Sequence, residues 1–476
     1  MSSSTVTTTA TPATPQQLVE HALATSRAED CVVVLRDHTS ANLRWAGNTL
    51  TTNGVMHGVS VTVVSFAHVP GADGGVATGS VTGTATTYDQ VTTLVEAADA
   101  AARASSPAGD AAPLVDDTPA AVDWDEAPVP TDIHAYDVFA PALGEAFGRA
   151  EAAGRILYGF VNHEMTTTYL ASSRGLRLRH VQPTGHYGCT AKDRALTRSA
   201  WVGGATRDFT DVDALAMDEA VAQRLAWAER RVDLPAGRYD TILPPSAVAD
   251  LMIDAYWAAG ARSAYDGQSV FGRAGGGTRV GERLGRPGVT LGSDPAYPGL
   301  ECAPFVVATS SGDTASVFDN GLPLTATDWM RDGELTHLVQ TRETAALTGM
   351  PVTPEIDNLV LSVDGADGSI DELVAGTERG LLLTCLWYIR EVDPQSLLLT
   401  GLTRDGVYLV ENGEITGAVN NFRFNESPVS LLRRFTHASA SVPTFSREWG
   451  DDYFSRTVMP ALRVPDFNMS SVSQAL

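Results

Sequence analysis

Residues 41–66, ANLRWAGNTLTTNGVMHGVSVTVVSF, set the architecture. Ala41–Leu50 and Val59–Phe66 alternate apolar and polar side chains, the two-residue period of strands with one buried face, and Asn53-Gly54 between them is a turn signal. The pair reads as part of an antiparallel sheet. On its N-terminal side Cys31–Leu35 is a short apolar run bounded by charge, a core strand. On the other side Gly75–Thr87 is a further, Thr-rich strand. Helical spacing frames these strands: Leu18, Val19, Ala22 and Leu23 share one face after Pro15, and Val91, Leu94, Val95 and Ala98 share one face of Val91–Ala104. Residues 15–104 are therefore expected to form a two-layer helix/antiparallel-sheet domain, an α+β unit.

The rest of the chain divides by composition. Residues 1–14, Ser/Thr/Pro-rich with no apolar face, are expected to be a disordered tail. Residues 105–131 are rich in Pro, Ala and Asp without periodicity, a linker or extended crossover. A middle α+β segment, 132–235, holds a helix at 137–153, strands at Ile156–Val161, Thr166–Leu170 and Leu176–Val181 with a hairpin turn at Ser172–Gly175, and a helix at Val212–Arg230. Residues 236–476 open with a strand, Tyr239–Leu243, and a helix, Ala247–Ala259, with Ser246 as its expected N-cap. Short strands and Asp/Asn-Gly turns follow, with helices at 342–348 and 369–379: a β-rich C-terminal domain with packed helices.

With 476 residues, more than one core is expected. The net charge of -24 opposes binding to phosphate backbones unless a basic patch is present. The densest candidate, Arg174, Arg177, Arg179 and His180, reads better as a solvated strand face. Cys31, Cys189, Cys302 and Cys385 lie far apart, with no CxxC motif, and fit buried thiols in a reducing compartment. No signal-peptide pattern opens the sequence and no apolar run reaches the ~18 residues of a membrane helix, so a cytoplasmic location is expected.

Motifs that carry chemistry are weak. His163-Glu164 is the one His-Glu pair, but Thr167 stands where an HExxH helix needs its second histidine. The surrounding residues alternate like a strand, where positions four apart are separated by about 13 Å, and the pair is expected on a strand surface. His180, His186 and Cys189 match no zinc module. His337 is the lone histidine between Tyr187 and Phe435. Gly272–Gly277 lacks the Gly-Lys-[Ser/Thr] ending of a phosphate loop, and no G-x-S-x-G elbow occurs.

Several stretches taken in order resemble the TldD/PmbA family. They are ANLRWAGNTLTTNG (41–54) with the Val59–Phe66 strand and the helix beginning YDQVTTLVEAAD, TTTYLASSRGLRLRH (166–180), SVFDNGLPLTATDWMRDGELTHLVQTRETAALTG (316–349) and GVYLVENGEITGAVNNFRFNESPVSLLRRF (406–435). The resemblance runs from about residue 16 to 470. It implies an α+β N-terminal domain, a β-rich C-terminal domain, and one of two paired subunit kinds. The TldD kind carries two zinc ligands on a HExxxH helix and a cysteine near the C-terminus; the TldE (PmbA) kind lacks them. The pair encloses extended or unfolded peptides and cleaves them. The corresponding helix here, 246–258, has no histidine around Asp254 and Ala258, where the ligand pair is placed, and no cysteine follows Arg434. The resemblance thus implies a degenerate metal-site helix, no catalytic or metal-binding residue in this chain, zinc in a TldD-type partner, and a heterodimer acting on peptide. Two alternatives stay open: an independently active metallopeptidase-like hydrolase with an unrecognised site, and a non-enzymatic protein-binding modulator, the role behind an older family label, modulator of DNA gyrase.

Overall fold

The structure, a computed structural model, describes residues 13–70, 75–116, 119–450 and 456–474. The expected disordered tail lies outside the described residues except for residues 13 and 14. Thr14 is the N-cap of α1 (Pro15–Thr25): its hydroxyl accepts from Gln17 N at 3.2 Å while Gln17 Oε1 accepts from Thr14 N at 2.9 Å, a reciprocal capping box.

Four long strands follow the expected alternation: β1 (Asp30–Ala46), β2 (Leu50–His68), β4 (Arg155–Ser172) and β5 (Arg177–Asp193). With the shorter β3 (Val76–Thr84) and β6 (Ser199–Thr206) they form, among the described residues, one six-stranded antiparallel sheet in the order β3-β2-β1-β4-β5-β6. The pairing of β1 with β4 makes the sheet continuous across residues 105–131.

The hairpin turn is not at Asn53-Gly54. Those residues pair with Leu43 and Asn42 inside β2. The chain reverses at Gly47-Asn48, whose φ values of 64° and 59° are what a two-residue hairpin loop on a twisted sheet requires. The Asn48 side chain fixes that loop by donating to Arg155 O at 2.9 Å and accepting from Leu157 N at 2.7 Å. Ile156–Val161 and Thr166–Leu170, expected as two strands, are one strand, β4, because β1 and β5 pair along its whole length.

Side-chain parity separates the two sheet faces. Val33, Leu35, Val61, Val63 and Tyr169 bury α1 and α2 (Tyr88–Ala104), while Trp45, Leu157, Val161 and Cys189 bury α3 (Phe139–Ala152) and α4 (Ala214–Trp227). All four helices thus share one face, giving the expected two layers. The opposite face, with Val32, Val34, Phe66 and Leu178, packs on Phe305, Val317 and Phe318 of the C-terminal domain. Residues 105–116 and 119–131 are an extended crossover packed on both faces. Leu114 and Val115 join the interdomain cluster, and Trp124 lies edge-on to Tyr169 at 5.6 Å.

In the C-terminal domain the strands Arg379–Asp393, Gly237–Leu243, Leu462–Val472, Phe422–Glu426 and Leu398–Glu411 pair in that order, and the last pairs again with the first, closing a ring. A second sheet holds Val289–Ser293, Thr327–Arg331 and Leu359–Val363. Helix α5 (Pro245–Trp257) sits in the hydrophobic cluster shared by the ring and this sheet. Its N-cap is Pro244, not Ser246: Pro245 occupies the first helical turn, where a missing N–H costs nothing, and Ser246 Oγ instead donates to Thr384 O at 3.4 Å. Ala247–Ile253 are buried without interruption, so α5 is enclosed on all sides and the inward-facing set is wider than one stripe.

Candidate functional site

The site is built on α5. Asp250 and Asp254 lie one turn apart on this buried helix, facing the segment Phe445–Gly450. Asp250 Oδ1 accepts from Ser446 Oγ at 2.6 Å and from Glu448 N at 3.1 Å, and its Oδ2 is buried without a hydrogen-bond partner. Asp254 Oδ2 accepts from Trp449 Nε1 at 3.3 Å, and the Trp449 ring packs on Trp257 at 4.8 Å. Burial pushes both carboxyls up to about 7, against the lowering effect of these hydrogen bonds. Ala258 follows the last helical residue as C-cap, its N–H bonded to Asp254 O at 3.1 Å, and contributes only packing.

Zinc does not fit the residues present. Glu448, the third carboxylate nearby, turns away from the pair to accept from Tyr388 N and Ile389 N at 3.1 and 3.0 Å. Asp254 is capped by an indole, and Asp250 is held by a hydroxyl and an amide. Among the described residues no three His, Cys, Asp or Glu side chains converge as a metal site would need.

The same segment ties α5 to the N-terminal sheet. The Phe445 ring stacks on His186 of β5, with centroids 5.4 Å apart and planes 14° apart. Arg447 lies between Trp201 of β6, at 4.9 Å, and Trp387, at 4.5 Å; Arg404 covers the same Trp387 ring at 5.4 Å. This cation–π ladder crosses the domain boundary. No sequence spacing announces it, because its members come from residues 201, 387, 404 and 447. Nearer the middle of the same sheet face is a cavity of about 630 Å³ where Arg36 faces Asp357, and burial together with Asp357 raises the Glu355 carboxyl to about 7.

The remaining sequence candidates are structural. His163 is buried rather than on a strand surface: its Nδ1 meets Thr131 Oγ1 at 2.6 Å and its Nε2 meets Arg207 O at 2.9 Å, so both ring nitrogens are engaged. His180 and His186 have one parity on β5 and Cys189 the other, so the three cannot meet. Burial pushes Cys31, Cys189, Cys302 and Cys385 up to about 12, which makes them unreactive thiols. Arg174 pairs with Asp30, Arg177 with Glu20 and Arg179 with Asp123, each at 2.6 Å, so they offer no basic patch. Arg179 is also buried, not solvated as expected, because residues 123–127 cover it. Gly272–Gly277 closes on itself through Arg273 N to Gly277 O at 2.8 Å and Gly276 N to Arg273 O at 3.0 Å.

The α+β N-terminal domain and the β-rich C-terminal domain that the resemblance implies are both present. Residues 236–471 match the sequence model described as PmbA/TldA metallopeptidase C-terminal domain. The fold is similar to that of TldE from Thermococcus kodakarensis, with a TM-score of 0.75 at 15% identity over 95% of this chain and 99% of that one. It is also similar to a Thermotoga maritima protein described as a modulator of DNA gyrase, with a TM-score of 0.71 at 17% identity over 95% and 99% of the two chains. A Bacteroides thetaiotaomicron protein of the same description gives 0.70 at 13% identity over 96% and 98%. No curated protein sequence matches the chain. The chain belongs to the TldD/PmbA family.

Proposed function

We propose that this chain is the metal-free subunit of a TldD/TldE-type metallopeptidase, paired with a zinc-bearing TldD-type homologue and acting with it on extended or unfolded peptides. The observation that carries this reading is α5. The helix is retained, enclosed and tied to both domains, yet the carboxyls it carries, Asp250 and Asp254, are closed off by Ser446 and Trp449. A scaffold kept without donors suited to zinc serves positioning better than metal chemistry. Holding an extended peptide against a partner's metal can itself supply several kcal/mol to the rate. The proposal places the complex in the cytoplasm, in keeping with four unpaired buried thiols. Among the described residues no helix is long and apolar enough to cross a membrane.

The test is to mix the purified chain with a zinc-bearing homologue and assay cleavage of an unstructured peptide, with each chain alone as control. A stable complex on size-exclusion chromatography and faster cleavage by the mixture are expected. Equal cleavage without this chain, together with no complex, refutes the partner role. About one zinc per chain in the purified protein alone would do the same.

A further inference from the structure

Where β5 turns into β6, the sheet face that meets the C-terminal domain leaves a cavity of about 430 Å³. A backbone irregularity shapes its wall. Leu383 pairs with Val407 and Cys385 with Arg404, so Asp405 and Gly406 together stand opposite the single Thr384. Such a bulge re-aims the side chains of its strand. Asp405 has φ 53° and Gly406 φ 128°, and any side chain at 406 would run into Tyr408 Oη and Thr384 Oγ1, so glycine is required there.

The cavity is basic in a chain whose net charge is -24. Lys192, Arg198, Arg231, Arg404 and Arg447 line it, with Asp405 as the one lining carboxylate among the described residues. Arg198 is engaged by Asp193 and Glu229, and Arg231 by Asp233. Asp405 is shared three ways: it accepts from Arg447 Nη2 at 3.1 Å and from Ser199 Oγ at 3.3 Å, and lies 3.8 Å from Arg404 Nε. Two cations keep uncommitted N–H donors. Arg404 keeps 42% of its side chain exposed and makes no side-chain hydrogen bond among the described residues. Lys192 has no acidic partner among them; its Nζ rests 5.9 Å from the Tyr158 ring centroid. Ring contacts hold both cations in place without using up their N–H donors. A planar guanidinium and an ammonium lining one cavity suit a carboxylate, and the volume falls within the roughly 300–1,000 Å³ of small-ligand sites. Leu196, 59% exposed, and Val407 add apolar wall for a neighbouring side chain.

We propose that this cavity binds the C-terminal carboxylate of an extended peptide, with Arg404 and Lys192 as its donors. The inference rests on the peptide-handling reading above, but its test needs no partner subunit. The full chain is titrated with an unstructured decapeptide lacking Trp, Asp and Glu, once with a free C-terminus and once as its C-terminal amide, following tryptophan emission from the Trp387 neighbourhood. The acid is expected to bind about ten-fold more tightly than the amide, the loss typical of one charge-assisted hydrogen bond. R404Q and K192Q, both at partly exposed positions, are each expected to erase that preference while leaving the far-UV circular dichroism unchanged. Equal binding of acid and amide, or a preference that survives in both variants, overturns the proposal. So does inorganic phosphate binding more tightly than the peptide acid, which would assign the cavity to phosphate. Failure to pair with a homologue leaves all these outcomes readable.

Discussion

Asp250 carries the sharpest consequence of any single side chain. Its folded carboxyl titrates near 7, as does that of Asp254, whereas an unfolded aspartate titrates near 4. Between those values the folded state holds more protons, so the stability these groups confer is complete below about pH 4 and is lost as the pH rises through about 7. Asp250→Asn keeps the shape but removes the charge. At pH 8 the variant is expected to be more stable than the parent by on the order of 2–4 kcal/mol, with little difference at pH 4.5. Urea unfolding at the two pH values checks this, and an equal offset at both would refute it. The sequence showed Asp254 within the helix where the ligand pair was placed, and the absence of histidine there. It did not show Asp250 as the deeper of the two. That depends on the Ser446–Trp449 segment folding back over α5 from almost 200 residues away.

Individual elements were legible where a periodic pattern ran unbroken, and their ends were not. The strand alternation in 41–66 was real, yet the turn lay at Gly47-Asn48. Asn53-Gly54 has turn chemistry, but β1 offered a longer paired register if the chain reversed earlier. Ser246 has cap chemistry, but two prolines before it fix the helix entry two residues sooner. Packing between elements follows the same logic. Gly79 of β3 lies directly under α2, and a methyl there would overlap the backbone at Ala98 and Ala102. Gly79→Ala is expected to cost about 1–3 kcal/mol, because the helix must lift off the strand. Gly58→Ala, with nothing within 4 Å, serves as control and is expected to be near neutral. Equal unfolding midpoints for the two variants would contradict the close approach of α2.

At the level of the molecule, the sheet buries both faces, one under its own helices and one against the C-terminal domain. Val32, Val34, Phe66 and Leu178 are exposed if the domains separate, as is the Trp201–Arg447–Trp387 ladder. The two domains are therefore expected to unfold as one cooperative unit. Scanning calorimetry of the full chain should show a single transition, and Trp387→Ala should lower it without splitting it. Two separate transitions in the parent protein would show that the interface contributes little.

Local periodicity and composition were enough to establish the α+β class, the helices of the N-terminal domain and the weakness of the catalytic motifs. Each of those depends on residues within a few positions of one another. The site was a matter of folding. Whether His180, His186 and Cys189 meet is decided by strand parity over the unbroken length of β5. Whether the arginines at 174, 177 and 179 form a basic surface is decided by Asp30, Glu20 and Asp123, each far away in the sequence. The basic cavity requires a bulge at 405–406, a hairpin end at 192–199 and a loop at 447 to converge on one sheet face. Distances between such segments are fixed by packing, which no local pattern encodes.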